Sequence, residues 1–151
     1  MNQQKETVIE NCHHTLEWIE NLHNISEEKW RKPIAKGKWT VAEVVGHFIY
    51  WDQYFINRIP EIIDESTLTQ VDIESVNQEA SRESKTKSKE EIFERFHQVR
   101  EELIQLLQSL DDDLWDQEFH TNNGQYTLYG DLKRLINHDQ HHIKQLEHVI
   151  Y

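Results

Sequence analysis

Hydrophobic residues recur every three or four positions in four long stretches of the chain, a spacing that places them on one face of an α-helix. We expect helices over about residues 4–22 and 40–60, from Ser88 onward, and over about residues 128–150. Pro60 sets the expected end of the second helix, because proline disrupts a helix interior. The four apolar stripes consist of Ile9, Cys12, Leu16 and Ile19; Val41, Val44, Val45, Phe48, Phe55, Ile56 and Ile59; Ile92, Phe96, Val99, Leu103, Leu106 and Leu110; and Leu132, Leu135, Ile136, Ile143, Leu146 and Ile150.

Two capping boxes fix where the second and third helices begin. Thr40 is followed three residues later by Glu43, and Ser88 by Glu91. In this motif the hydroxyl and the carboxylate each accept from a backbone N–H that the first helical turn leaves unpaired.

A long polar segment, residues 61–87, connects the second and third helices. Structureless loops of this length are uncommon in compact domains. We therefore expect a short extra helix over about residues 72–81, with Ile73, Val76 and Ala80 facing inward. The pattern predicts an all-α protein of four long helices, with a long polar connection after the second helix.

Length and charge narrow the class of protein. The 151 residues are expected to form a single domain, residues 1–151, with a net charge of -12 that disfavours binding to nucleic acids and anionic membranes. No apolar run approaches the ~20 residues of a membrane span, and no signal sequence is visible, so we expect a cytoplasmic location. The single cysteine, Cys12, lies in an apolar stripe and is expected to be a core residue rather than a nucleophile.

The spacing of His138 and His142 is the most specific functional signal in the chain. Residues four apart lie one above the other on a helix, so these two imidazoles can share one metal ion. His141 points away from the apolar face, and both it and His148 are expected to be exposed, as are His13 and His14. Two ligands leave a site incomplete, and His47 is the candidate for the third.

A weak internal repeat supports His47. Each half of the chain reads as a helix, a turn that ends in tryptophan (Trp30 or Trp115), a loop that carries glycine, and a helix that carries histidine. His47 lies one helical turn closer to its glycine than His138 does, and a shift of one turn preserves the face. Three neutral imidazoles would leave coordination positions open, as in a catalytic metal site. Accidental histidine pairs are the alternative.

Asp52 and Asp139 fall near the middle of apolar faces, where a carboxylate needs a partner. Either could orient a ligand imidazole through its free N–H. A buried hydrogen bond between helices is the alternative for each.

The sequence resembles the DinB-like superfamily, in the branch of bacillithiol S-transferases and mycothiol-dependent enzymes. The resemblance covers nearly the whole chain and is carried by Trp39-Thr40-Val41-Ala42-Glu43-Val44-Val45-Gly46-His47, Trp51-Asp52 and His138-Asp139-Gln140-His141-His142-Ile143-Lys144-Gln145. It implies a four-helix bundle with a long crossover, often homodimeric, and assigns His47, His138 and His142 as metal ligands. The implied ion is a divalent transition metal, with zinc first among zinc, nickel, manganese and iron.

The function implied by the resemblance is a thiol-dependent S-transferase that acts on small electrophiles. A low-molecular-weight thiol would be the co-substrate, activated as a thiolate. A metal-dependent hydrolase is one alternative, and a non-catalytic dimeric bundle that binds a metal or a small molecule is another. Trp18, Trp51 and Tyr54 are candidates to line the pocket.

Overall fold

Four long helices form where the apolar stripes predict them. The computed structural model describes residues 2–151. Its elements are α1 (Gln3–Glu20), α2 (Glu27–Trp30), α3 (Val41–Ile63), α4 (Ile73–Thr86), α5 (Lys89–Ser109), a 3-10 turn at Asp112–Asp116, strands β1 (Phe119–Thr121) and β2 (Gly124–Tyr126), and α6 (Leu128–Ile150).

The long helices α1, α3, α5 and α6 make up the bundle. Both α1 and α3 contact α5 and α6, so α1 lies diagonally opposite α3 and the apolar stripes meet in one core. The crossover from α3 to α5 contains α4, which packs against α3. The predicted bundle with a long crossover is therefore confirmed.

Both capping boxes form as the sequence predicts. The Thr40 and Ser88 hydroxyls accept from the backbone N–H groups of Glu43 and Glu91, and each glutamate side chain accepts from the N–H of its cap. Because α3 and α5 start at fixed residues, the rotation of their apolar faces toward the core is fixed as well.

The predicted end of α3 at Pro60 is wrong, since the helix continues to Ile63. Pro60 is exposed, and its carbonyl still accepts from the Asp64 N–H at 3.0 Å. Ile62 is completely buried. Burial of this one side chain in the core outweighs the backbone hydrogen bond that the proline ring removes.

The crossover helix α4 is longer than predicted and reaches Thr86 instead of residue 81. Its predicted inward face is only partly right, because Ile73 is 50 % exposed while Ala80 and Ser84 are buried. Gly46 of α3 permits the close packing: a Cβ there would lie 1.9 Å from Ser84 Oγ. The local sequence predicts neither the exposure of Ile73 nor the close contact between Gly46 and Ser84.

The internal repeat has a structural counterpart, although one part of it was predicted wrongly. Trp30 and Trp115 are both buried, and each indole N–H lacks a hydrogen-bond partner within residues 2–151. The expected second loop is a β-hairpin, in which Phe119 pairs with Tyr126. The first loop also folds back on itself, through a bridge between Pro33 and Thr40. In both halves, this arrangement leads into a helix that carries histidine.

Candidate metal centre

His47, His138 and His142 converge between α3 and α6. Their ring nitrogens provide three ligand atoms that all lie within 4.8 Å of one another. His47 is buried, with 3 % of its surface exposed, whereas His138 and His142 are half-buried. The structure thus brings together the three residues singled out from the sequence, with one end of the cluster open to solvent.

The hydrogen bonding of the three rings fits a metal site. His47 Nε2 and His138 Nε2 lie 2.8 Å apart, a contact that needs one hydrogen between two nitrogens, which a cation could replace. The Nδ1 atoms of the same two rings are buried without a hydrogen-bond partner among residues 2–151. A buried polar atom without a partner is costly in a purely structural cluster.

Gln145 fixes the tautomer of the third ring. Its side-chain carbonyl oxygen, Oε1, lies 2.8 Å from His142 Nδ1 and accepts the hydrogen of that nitrogen. His142 Nε2 therefore keeps its lone pair free to bind a cation. Sequence reasoning did not assign Gln145 a role, although its position three residues after His142 places it on the same face of α6.

Burial keeps two of the three rings neutral and ready to coordinate a metal. Burial, followed by the neighbouring His138 and His142, lowers the pKa of His47 to about 2. Burial and then His138 lower the pKa of His142 to about 4. Both rings are therefore uncharged at neutral pH, the form in which imidazole binds a metal.

Aromatic side chains surround the histidines. Trp39 and Trp51 place their ring centroids 4.9 and 5.9 Å from that of His47, and Tyr54 packs on Trp51 at 5.1 Å. Phe48 closes the inner side, 5.4 Å from the His138 ring. Of the three predicted pocket residues, Trp51 touches two of the histidine rings and Tyr54 lies one layer behind it.

Other predicted residues lie away from the centre. Trp18 is half-buried on α1 and packs against the general core. The four histidines that the sequence predicts to be exposed, His13, His14, His141 and His148, are all exposed.

Asp52 and Asp139 share one partner, the guanidinium group of Arg100 on α5. Arg100 donates to both oxygens of Asp52, at 2.7 and 2.8 Å, and to both oxygens of Asp139, at 2.9 and 3.2 Å. All three side chains are completely buried. Asp139 Oδ2 also accepts from Thr15 Oγ1 and Asn11 Nδ2, at 2.9 and 3.0 Å.

The two carboxylates respond differently to this environment. Burial raises the pKa of Asp52 to about 6, although Arg100 opposes the shift. Burial also acts most strongly on Asp139 to raise its pKa, but the charge and hydrogen bonds of Arg100, together with the neighbouring His138, outweigh burial and hold that pKa below its usual range. Asp139 Oδ1 is 3.8 Å from His138 Nδ1, beyond hydrogen-bonding distance. Both acids thus serve the helix-to-helix contact that the sequence left as an alternative.

Sequence reasoning missed Arg100, which lies on the apolar stripe of α5 four residues after Phe96 and three before Leu103. That position was the available signal, because a buried arginine implies buried acids. Cys12 lies beside this cluster, and its carbonyl is 3.5 Å from Arg100 Nη1. Burial raises the pKa of its thiol to about 12, consistent with the predicted core role.

The chain belongs to the DinB superfamily, whose family model matches residues 9–146. This agrees with the resemblance in sequence, the bundle with its long crossover and the convergence of three histidines. Comparison with curated proteins finds no match. Within residues 2–151, no helix is long and apolar enough to cross a membrane.

Solved structures share the fold at low identity. YfiT from Bacillus subtilis, described as a probable metal-dependent hydrolase with an unusual four-helix bundle topology, matches with a TM-score of 0.80 at 18% identity, over 99% of this chain and 87% of that one. A mycothiol-dependent maleylpyruvate isomerase matches with a TM-score of 0.73 at 14% identity, over 94% of this chain but only 60% of its own. A Streptococcus pneumoniae protein matches with a TM-score of 0.76 at 13% identity, over 97% of this chain and 90% of that one.

Proposed function

We propose that the protein is a divalent-metal-dependent enzyme that transfers a low-molecular-weight thiol to a small electrophile. The ion would be held by His47, His138 and His142. The observation that carries the proposal is the set of three imidazoles whose ligand nitrogens lie within 4.8 Å, joined by no fourth protein ligand among residues 2–151. Structural zinc sites are closed by four protein ligands, whereas catalytic sites keep a position open.

The surroundings of the site favour thiol chemistry. Within residues 2–151, Asp139 is the only carboxylate within 4 Å of a ring nitrogen of the triad, and it is bound to Arg100. No free carboxylate is therefore at hand as a general base. When bound, a divalent ion is a Lewis acid that lowers the pKa of a thiol or a water molecule. A thiol needs the smaller shift, since its ordinary pKa of about 8.5 is already close to neutral.

The transfer balances as a substitution. A thiolate sulfur forms a bond to the electrophilic carbon, the bond from that carbon to its leaving group breaks, and the leaving group departs with the bonding electrons. The proton of the thiol goes to solvent at the open, half-buried side of His138 and His142. Trp51 and Phe48 border the histidines and would limit the access of water to the reacting atoms.

A metal-dependent hydrolase is the second candidate, because YfiT is described as one and shares the fold over nearly the whole chain. The same three histidines would serve, and the nucleophile would be water. The mycothiol-dependent enzyme among the similar structures favours the thiol instead.

Metal content tests the shared part of both candidates. The untagged protein, purified without chelator, should bind zinc, nickel or manganese at one ion per chain. Inductively coupled plasma mass spectrometry and cobalt absorption would measure this. Failure to bind any of these ions at neutral pH would leave a non-catalytic bundle as the remaining function.

A reaction assay separates transferase from hydrolase. The metal-loaded protein should consume an alkyl halide only when a thiol such as bacillithiol or mercaptosuccinate is present, and should form the thioether. Mass spectrometry would identify the product. Consumption at the same rate without thiol, with release of the alcohol, would support the hydrolase.

We further propose that two chains associate as a homodimer, as the family resemblance implies, with no nucleic acid or membrane as partner. Sedimentation velocity would measure the mass in solution, and a monomer at micromolar concentration would contradict this.

A further inference from the structure

Positive charge is concentrated in two short segments of an otherwise acidic chain. Of the 16 lysines and arginines, five lie in residues 29–38 and four in residues 82–89. The first segment contains no Asp or Glu, and the second contains only Glu83. The net charge of -12 therefore conceals a local excess of positive charge.

The fold joins these two segments. Residues 31–40 form a turn that we call the basic hairpin, in which Val41 N donates to Lys32 O at 3.1 Å and Ile34 N to Trp39 O at 2.7 Å. The Arg31 guanidinium then donates to two carbonyls at the end of α4, those of Ser84 at 2.7 Å and Lys87 at 2.8 Å. The basic hairpin is thus attached to the basic end of α4.

An open groove of about 760 Å³ lies between the basic hairpin and α4. Trp39 and Ile73 supply apolar lining, and Arg82 and Lys85 supply two cations. Glu74 also lines the groove and partly balances the positive charge of Arg82 and Lys85. Ile73, which the sequence placed in the core, is half-exposed here and gives the groove an apolar wall.

The two cations of the groove differ in whether they already have an ion-pair partner. Arg82 forms a surface ion pair with Glu79. The Lys85 side chain has no hydrogen bond or ion pair within residues 2–151, and neither do those of Lys36 and Lys38 on the basic hairpin. Within residues 2–151, Lys85 is therefore an unpaired cation in the groove that Trp39 also lines.

The groove adjoins the histidine triad through one layer of side chains. Trp39 lines the groove and places its ring centroid 4.9 Å from that of His47. Asn77 also lines the groove, and its Oδ1 accepts from Trp51 Nε1 at 3.3 Å. The Trp51 ring in turn lies 5.5 Å from His138. A molecule in the groove would be one aromatic side chain away from the metal ligands.

We propose that this groove binds a carboxylate-bearing small organic molecule, with a carboxylate at Lys85 and its carbon skeleton on Trp39. The adjacent apolar and cationic walls favour an organic acid over an inorganic anion. The acidic remainder of the surface repels such a ligand and leaves the groove as its favourable approach. We identify this molecule with the thiol that reacts at the metal, an identification that rests on the proposed function.

Binding to the metal-free protein tests the groove by itself. Succinate, titrated by isothermal calorimetry and by tryptophan fluorescence, should bind saturably, whereas its neutral analogue succinamide should not. Lys85→Glu should weaken succinate binding by about tenfold or more, because it reverses one charge at close range. Lys133→Glu makes the same charge change at an exposed position of α6 and should leave binding within about twofold of wild type.

Three results would overturn the proposal: no saturable succinate binding, equal loss in the two variants, or inorganic phosphate binding as tightly as succinate. The cobalt-loaded protein then tests the link to the reaction. Mercaptosuccinate should give sulfur-to-cobalt absorption at lower concentration than 2-mercaptoethanol, and Lys85→Glu should remove the difference. Succinate binding to metal-free protein without any such absorption would support the groove and contradict the proposed function.

Discussion

The histidine triad and the Asp52–Arg100–Asp139 cluster are neighbours in the bundle, since α3 and α6 supply residues to both. Asp139 directly follows His138 in the chain. In the Asp52–Arg100–Asp139 cluster every buried side-chain polar atom has a hydrogen-bond partner, and Arg100 binds both oxygens of each carboxylate. In the triad, Nδ1 of His47 and Nδ1 of His138 have none within residues 2–151.

The difference separates two uses of buried polar groups. A satisfied cluster holds helices in register, and its removal is expected to affect folding. A cluster of converging ring nitrogens with lowered pKa values at His47 and His142 gains little for folding and is suited to binding a cation at those nitrogens. Mutations in the two clusters should therefore affect different measurements.

Arg100→Leu should have the largest effect, because it leaves two buried carboxylates without their cation. The free energy of unfolding is expected to fall by about 3–5 kcal/mol. Urea denaturation of the metal-free protein, followed by circular dichroism, would measure it.

Arg95→Leu is the control, since Arg95 is exposed on the same helix and its loss should cost less than about 0.5 kcal/mol. A triple variant, Asp52→Asn, Arg100→Met and Asp139→Asn, removes every charge together and should be more stable than Arg100→Leu alone. A loss below about 1 kcal/mol in Arg100→Leu would show that the cluster does not hold the helices.

His142→Ala should come next and should act on metal affinity. Removing an orienting neighbour of a metal ligand typically costs 10- to 100-fold, so loss of a ligand itself is expected to cost roughly 100-fold or more. Unfolding of the metal-free protein should change by less than about 1.5 kcal/mol. Competition with a chromogenic chelator would measure the affinity.

His141→Ala supplies the matched comparison, because His141 is the exposed neighbour on the same helix. It should keep the affinity of the wild type. If both variants lost metal equally, the assignment of faces on α6 would be wrong.

Gln145→Ala should have the smallest effect, about a tenfold loss of metal affinity, because it removes the acceptor that fixes the His142 tautomer. Gln145→Glu retains an acceptor and should preserve or raise the affinity. Isothermal calorimetry with zinc would distinguish them, with the exposed Gln140→Ala as the control. An unchanged affinity in Gln145→Ala would remove Gln145 from the site.

Local patterns predicted the four long helices and two of the three histidines of the centre. The spacing of His138 and His142 and the apolar stripes depend only on helix geometry, which neighbouring residues determine. The capping boxes at Thr40 and Ser88 are likewise local, and both form. His47 was found through the internal repeat and the family resemblance, and the structure places it with the other two histidines.

Contacts between distant segments decided the rest. The partner of Asp52 and Asp139 could not be chosen until α5 was packed beside α3 and α6, which brings Arg100 between the two acids. The continuation of α3 past Pro60 and the length of α4 depend on burial of Ile62 and on the contact between Gly46 and Ser84. Tertiary packing can outweigh local propensity, because burying one large side chain contributes about 1.5–3 kcal/mol.

The basic groove shows the same division. The lysines and arginines of residues 29–38 and 82–89 can be read directly from the chain, but about fifty residues separate the two segments. The packing of α4 on α3 and the hydrogen bonds from Arg31 to the end of α4 bring them together beside Trp39 and the histidines. Helix periodicity and residue type specify which groups are available, and long-range packing specifies which of them meet.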